Sequence, residues 1–453
     1  MKKKDLFEGI VEKVDFPNKG IIQIEDGEKV HTSNVIEGQK VKGVVTKKRK
    51  GKLSGIVLEI VDKSPDEVDT VCQGAGECGG CLYQSLPYQK QLSLKKRQVA
   101  DLLNSLGTSY KFEGIVDSPA VFQYRNKMEY SFGDAYKGGP LALGLHKRAS
   151  MYDIVNTSDC KLVHHDFNKI LKATFELFQE DELHYFSKKD HVGYLRHLVL
   201  RKGTKTDEIL VNLVTTSQLD YDLSRWLEIL KELKLSGEIV GVLNTINDDI
   251  ADAVKVTELR LLEGRDYFYE ELLGMKFKIS PFSFFQTNTL GAEKLYSVVR
   301  EYVGETRNKI IFDLYSGTGT ITQMLAPVAK KAVGVEIVEE AVEAAKENAK
   351  LNGLENCEFI AGDVLKVLDT LEDKPDIIIL DPPRDGIHPK ALRKIIDYGV
   401  EQLVYVSCKP TSLVRDLEVF LASGYEVVKV RCVDMFPHTV HVETIVGLQR
   451  LEP

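Results

Sequence analysis

The chain has 453 residues, of which 43% are hydrophobic and 28% charged, with a formal net charge of −8. That composition belongs to a globular protein of roughly two to four domains and excludes a disordered or small disulfide-stapled chain. No apolar stretch is long enough for a bilayer span, and "MKKKDLFEG" starts basic with no apolar core behind it, so neither a membrane segment nor a signal peptide is expected, and the expected location is cytoplasmic.

Residues 5–62 read as short strands between Gly, Asn and Asp turns: "FEGIVEKVD", "KGIIQIED", "KVKGVVTKK" and "LSGIVLEIVD". Such a series predicts a small antiparallel barrel of OB type. The segment "KVKGVVTKKRKGK" carries seven basic residues and no acid. It reads equally as a solvated hairpin and as a nucleic-acid patch, while the acidic total charge argues mildly against nucleic acid. "KSPDEVDT" (63–70) is a polar linker. Cys72, Cys78 and Cys81 follow in "CQGAGECGGC", and the remaining upstream cysteine is Cys160. The seven cysteines of the chain cannot form a closed disulfide set. Four thiolates can hold zinc or an iron–sulfur cluster, and one C-x-x-C with glycines between ligands and a distant fourth favours the bulkier group. "LPYQKQLSLKKRQVADLLNSLG" is helical, and residues 110–270 mix strands with amphipathic helices as an α+β domain.

From about residue 306 strands alternate with helices, and the continuous apolar runs of "KIIFDLYSG", "KAVGVEI", "CEFIAGD", "DIIILDPP" and "QLVYVSC" suit a parallel sheet covered on both faces. "FDLYSGTGTIT" sets Gly317 and Gly319 between a strand and a helix, where backbone can approach a ligand. The absence of Gly-Lys-Ser/Thr excludes a P-loop. Asp313 ahead of the glycines, Glu336 ending the second strand and Asp363 ending the third point to a nucleoside cofactor at the carboxyl edge, with methyl transfer favoured over hydride transfer.

"ILDPPRDG" ends the fourth strand on Asp381, and its two prolines stiffen the turn that presents Asp381 and Arg384. Arg384 stands where amino-methyltransferases carry an aromatic, so the acceptor is better read as carbon than as an exocyclic nitrogen. A pyrimidine C5 becomes nucleophilic only after a thiolate adds to C6, and a base must later remove the C5 proton. Cys408 in "YVSCKP" ends the fifth strand, and Glu443 in "HTVHVET" begins the last. Taken alone, Cys408 is better read as a buried small hydrophobe. An antiparallel last strand would bring Glu443 to the same edge.

"FDLYSGTGTIT", "DPPRDG", "YVSCKP", "HTVHVET" and "SPFSFFQTN" (280–288), in this order, resemble the RNA uracil-5-methyltransferase family. The resemblance implies an α/β fold: a Rossmann-like S-adenosylmethionine-dependent methyltransferase domain (271–453), preceded by a TRAM/OB-like RNA-binding barrel (1–62) and a central α+β domain (63–270), the helix near 85–107 packing on the catalytic domain. It makes Cys408 the nucleophile and Glu443 the proton acceptor. Gln286, Tyr315, Gly317, Gly319, Thr320, Glu336, Asp363 and Asp381 fall on cofactor-site positions. Cys72, Cys78, Cys81 and Cys160 match the [4Fe-4S] site of the ribosomal-RNA members, with zinc as the alternative and a structural role expected. That site and the barrel imply 23S ribosomal RNA as partner, and the acidic total charge does not contradict this if Lys47 to Lys50, Arg125, Lys127, Arg196 and Arg201 share one face. The alternatives are a tRNA uridine-5-methyltransferase and a non-catalytic RNA-binding factor; no membrane and no obligate protein partner is expected. His438 and His441 are read as packing groups, and Cys357 and Cys432 as core.

Overall fold

In the computed structural model, which describes residues 1–25, 27–250, 256–371 and 373–451, alternating apolar positions near the N-terminus close a five-stranded barrel. Its strands are β1 (Leu6–Asp15), β2 (Lys19–Ile24), β3 (Lys29–Ser33), β4 (Lys40–Arg49) and β5 (Lys52–Asp62). Antiparallel β1–β2, β1–β4 and β4–β5 ladders are closed by a short parallel β3–β5 pairing. Phe7, Val11, Ile22, Val30, Val41 and Leu53 fill the interior. A Cβ at Gly43 or Gly55 would meet the Phe7 ring at 2.3 or 2.6 Å, so glycine there makes room for the ring. β3, "KVHTS", lacks the apolar run that marks its neighbours in the sequence, yet it is the strand that closes the ring.

The chain forms two compact units, the first made of residues 1–71, 81–118 and 380–453, the second of 72–80 and 119–379. This grouping differs from the consecutive division 1–62, 63–270 and 271–453. In the first unit, α1 (Tyr88–Asn104) and β6 (Lys111–Val116) follow the barrel. α1 buries the polar Gln91, Lys95 and Gln98 along with its apolar face. Gln98 donates to Val14 O at 3.0 Å, and Arg97 pairs with Glu37 at 2.5 Å, which seats the helix on the barrel.

The second unit holds a mainly antiparallel sheet of β7 (Lys127–Asp134), β8 (Leu141–His146), β9 (Ile154–Asn156), β10 (Leu195–Lys202), β11 (Glu208–Thr215), β12 (Glu238–Ile246) and β13 (Glu258–Gly264), in the order β13-β12-β11-β10-β7-β8-β9. α2 (His165–Glu180) and α3 (Ser224–Glu232) pack beside it, which is the expected α+β pattern. After the hairpin β14 (Phe268–Leu272) and β15 (Met275–Ile279) and the helix α4 (Thr289–Val303), the chain turns to α/β alternation. β16 (Ile310–Leu314), α5 (Thr320–Leu325), β17 (Lys331–Glu336), α6 (Glu339–Leu351), β18 (Cys357–Ala361), α7 (Val364–Val367) and β19 (Ile377–Leu380) follow, the strands lying in the order β18-β17-β16-β19. Their apolar runs are buried, and β16–β17 and β17–β18 are parallel.

The chain returns to the first unit with α8 (Pro389–Asp397), β20 (Gln402–Ser407), α9 (Pro410–Ala422), β21 (Tyr425–Val433) and β22 (Glu443–Arg450). There the strand order is β20-β22-β21-β6. β22 runs antiparallel to β20 and β21, and β6 adds in parallel to β21. α1 packs on α9 and β6. No helix among the described residues is long and apolar enough to cross a membrane.

Candidate active site

Pro410 opens α9 directly after β20, so the chain must leave the strand sharply at Cys408 and Lys409. Ser407 pairs with Thr444 across the antiparallel β20–β22 ladder. One step outward along both strands come Cys408, half-buried, and Glu443, 5% exposed. Burial first, then the Glu443 and Asp381 carboxylates, push the Cys408 thiol up to about 11, against Arg384, which opposes them by charge and hydrogen bond. Burial likewise lifts Glu443 to about 7, again against Arg384. Thiol, carboxyls and guanidinium therefore form one electrostatic group.

The turn that carries Asp381 and Arg384 is strapped to α9 by residues the motif reading passed over. Asp416, 1% exposed, accepts from Ile387 N and from Tyr405 Oη, each at 2.8 Å. Ser412 Oγ donates to Arg384 O at 2.8 Å, and Arg415 Nη2 to Asp385 O at 2.5 Å. Gly386 stands at φ +78°, where a Cβ would strike Asp416 Oδ2 at 2.5 Å. Asp416 and Ser412 occupy ordinary helix positions in sequence, which give no sign that they bind a turn about thirty residues upstream.

In the second unit, the β16–α5 loop bends through left-handed residues Tyr315, Gly317 and Gly319. A Cβ on Gly319 would lie 2.3 Å from the Phe359 ring. Glu336, ending β17, accepts from Gly317 N and Val338 N at 3.0 Å each, and its oxygens keep lone pairs for hydroxyl donors. Asp363 caps α7 by accepting from Leu365 N at 2.9 Å. Thr320, buried, is the first residue of α5. Asp313, fully buried, takes the Thr322 hydroxyl on Oδ2 at 2.6 Å, while its Oδ1 has no partner among the described residues. Burial lifts Asp313 to about 7. The Gln286 carbonyl accepts from Asn126 Nδ2 at 3.0 Å, and Thr318 Oγ1 donates to Phe284 O at 3.2 Å, tying "SPFSFFQTN" to the glycine loop.

Cys72, Cys78 and Cys160 belong to the second unit and Cys81 to the first. Cys160 lies within electrostatic reach of Cys72 and Cys78, and burial raises both the Cys78 and Cys160 thiols. The segment is pinned by a Cys78–Lys147 bridge and by Gly79 N donating to His146 O at 3.0 Å. Among the described residues, the one trio of ligating atoms drawn within 4.8 Å is His164, His165 and Asp166. Asp166 already accepts from Ser236 N, Ser236 Oγ and Gly237 N, with Lys202 Nζ 3.7 Å away, so this trio reads as a structural cap. Cys432 is fully buried and Cys357 half-buried at the start of β18; burial carries both to about 12.

Two of the basic residues that a single basic face would need are buried. Arg196 is 4% exposed, with Nη1 donating to Asn247 O and Asp249 O, and Arg201 is 3% exposed, bonded to Ser280 O and Ser283 O. Both serve as internal carbonyl clamps. Strand position alone could not distinguish that use from a solvated charge.

A left-handed glycine loop closed over by the second-strand carboxylate, within alternating α/β structure, defines an S-adenosylmethionine-type methyltransferase. The chain belongs to the tRNA (Uracil-5-)-methyltransferase family, whose model matches residues 87–451. A relative from Clostridium tetani, described as an uncharacterized RNA methyltransferase, is 49% identical over 99% of both chains. One from Caldanaerobacter subterraneus with the same description is 50% identical, again over 99% of each. The solved Pyrococcus abyssi tRNA (uracil-54, C5)-methyltransferase in complex with S-adenosyl-L-homocysteine is 25% identical, with a TM-score of 0.77 over 97% of this chain and 100% of that one.

Proposed function

We propose that this protein methylates C5 of a uridine in 23S ribosomal RNA through a covalent intermediate. The observation that carries the mechanism is that Cys408, directly after β20, and Glu443, opening β22, each adjoin the Ser407–Thr444 pair of the antiparallel ladder, with Arg384 acting on both. The Cys408 thiolate adds to C6, forming the S–C6 bond and moving the C5–C6 electron pair to C5 and the C4 carbonyl. S-adenosylmethionine, when bound, supplies the electrophilic methyl carbon. Glu443 then removes the C5 proton, and the returning electron pair restores the C5–C6 double bond and expels the thiolate. The target base must leave its stack to reach the thiol.

Glu336, Asp363, Tyr315, Gly317, Gly319, Thr320 and Gln286, with Asp381 from the Asp-Pro-Pro turn, would hold the cofactor. The loop's left-handed glycines and the unpartnered buried Asp313 Oδ1 fit a polar nucleoside ligand. Cys72, Cys78, Cys81 and Cys160 would hold a [4Fe-4S] cluster with a structural role. Supporting a shared site, Cys160 lies within electrostatic reach of Cys72 and Cys78, and four thiolates suit either a cluster or zinc. The barrel would contact RNA, residues 63–270 carry the cluster, residues 271–453 perform the chemistry, and the protein would act in the cytoplasm.

The substrate assignment rests on the cysteine set. The barrel no longer separates ribosomal from transfer RNA, because a tRNA enzyme aligns over 97% of this chain. That likeness favours a tRNA uridine as the second reading. Incubating the purified protein with separated ribosomal and transfer RNA, followed by nucleoside analysis, decides between them. 5-Methyluridine confined to tRNA overturns the 23S assignment, and none in either overturns the enzyme. Absorbance with iron and zinc analysis of anaerobically purified protein tests the cluster.

A further inference from the structure

Lys127 on β7 and Arg201 on β10 are directly opposite each other in the antiparallel register, so their side chains leave the same face of the sheet. Arg125 lies beside them, its Nε donating to Lys127 O at 3.1 Å. Like charges placed opposite one another weaken a sheet. Elsewhere in this unit basic side chains have acid partners: Lys202 pairs with Asp207, Arg265 with Glu208, and Lys331 with both Glu358 and Asp373, each at 2.6 Å. At Lys127 the acid within reach is Glu129, and neither Arg125, Lys127 nor Arg201 forms an ion pair among the described residues. Arg201 spends both terminal nitrogens on Ser280 O and Ser283 O, and its buried Nε is left without a partner. Burial first, and then Arg201 and Arg125, lower the Lys127 ammonium against Glu129. In a chain of net charge −8, three clustered cations short of acids mark a place for an external anion.

We propose that Lys127 and Arg125, backed by the buried Arg201, form a phosphate subsite for the backbone of RNA. The inference rests on the RNA-methylating reading above and names one contact through which the substrate is held. Arg201 clamps the loop of "SPFSFFQTN", so this subsite stands beside the segment that carries Gln286.

The test uses the full-length protein, a short fluorescein-labelled oligouridylate, and the variants Lys127→Gln and Arg125→Gln. Each variant should bind the oligonucleotide about three- to tenfold more weakly, irrespective of base sequence, and lower the slope of log affinity against log salt by about 0.7. S-adenosylhomocysteine affinity should be unchanged, and Lys127→Gln should melt no lower than wild type because it relieves repulsion. Wild-type salt slopes in both variants overturn the subsite. Saturable binding of inorganic phosphate that Lys127→Gln abolishes, with oligouridylate binding intact, assigns the site to a free anion and also overturns it. If wild-type protein makes no 5-methyluridine while the variants still lose RNA affinity, the parent reading fails and the subsite stands.

Discussion

Gln91, in the first turn of α1, holds both the backbone and the ring of His438: its Oε1 accepts from His438 N at 2.8 Å, and its Nε2 donates to Nδ1 at 3.0 Å. His438 O in turn accepts from Leu82 N and Tyr83 N at 3.0 and 2.9 Å. These bonds fix a left-handed residue, φ +68°, on the loop that leads into Glu443. Gln91→Leu leaves a buried amide unsatisfied and should cost about 1–3 kcal/mol of stability. The turnover rate should fall while S-adenosylhomocysteine affinity is retained. Gln91→Glu, which keeps the acceptor, should recover part of the rate. Thermal melts and kcat measured side by side check this.

Glu443 can act as a base only when ionised, so the rate should rise as pH passes through about 7. Glu443→Gln should remove that limb and accumulate a protein–RNA adduct on denaturing gels. The linked stability effect has a definite sign. The folded carboxyl binds its proton more tightly than the unfolded one, so stability declines as pH rises from the ordinary carboxyl range through about 7. Glu443→Gln should therefore exceed wild type in stability above pH 7, by up to roughly 3 kcal/mol. Denaturant titrations at several pH values measure it.

Arg384 is the cation that opposes the upward shift of the Cys408 thiol. Arg384→Met should move the pH dependence of Cys408 alkylation by iodoacetamide to higher pH, with the Cys408→Ala variant as the blank. An unmoved curve would assign thiolate stabilisation to another group.

Lys95 and Asp434 form an ion pair at 2.6 Å with both side chains 0% exposed. Lys95→Met alone strands the buried carboxylate and should destabilise by about 3–5 kcal/mol, whereas Lys95→Met combined with Asp434→Leu should restore much of the loss. Lys95 also donates to Phe436 O at 3.0 Å, so a loss of turnover should remain in the double variant. A double-mutant cycle in urea, with kcat measured on each member, separates the two effects.

Gly319 combines φ +70° with a Cβ position 2.3 Å from the Phe359 ring. Gly319→Ala must displace the ring or unwind the turn, and should weaken S-adenosylhomocysteine binding by about tenfold or more, or roughly 1.4 kcal/mol. RNA affinity should be unaffected. Calorimetry with the cofactor product, and a filter-binding assay with RNA, report the two separately.

The α/β alternation and the glycine loop were legible because each is written in local sequence, as apolar runs and as glycines at a strand end; the antiparallel direction of β22 entered only as the condition for pairing Cys408 with Glu443, and the β20–β22 ladder meets it. The residues that aim these parts were not. Gln91, Lys95 and Gln98 look like the solvated side of an amphipathic helix, and their burial is explained by His438, Asp434 and Val14, all distant in sequence. β6 was hidden for the same reason. "KFEGIV" is short and half polar, and it becomes a strand by pairing with β21 about three hundred residues later. Arg196 and Arg201 resemble surface charges in a one-dimensional reading, and only the carbonyls they meet show otherwise.

The discontinuity of the first unit has a consequence for how the protein is made. The second unit has its last residue by position 379, while the first still lacks 380–453, including α9 and the strands that receive α1 and β6. During synthesis the buried polar face of α1 must wait, exposed or provisionally covered, until Asp434 and His438 leave the ribosome. Nascent chains arrested before position 430 should accordingly hold a folded middle between unfinished ends, and the thiol and carboxyl should meet only when synthesis is almost complete.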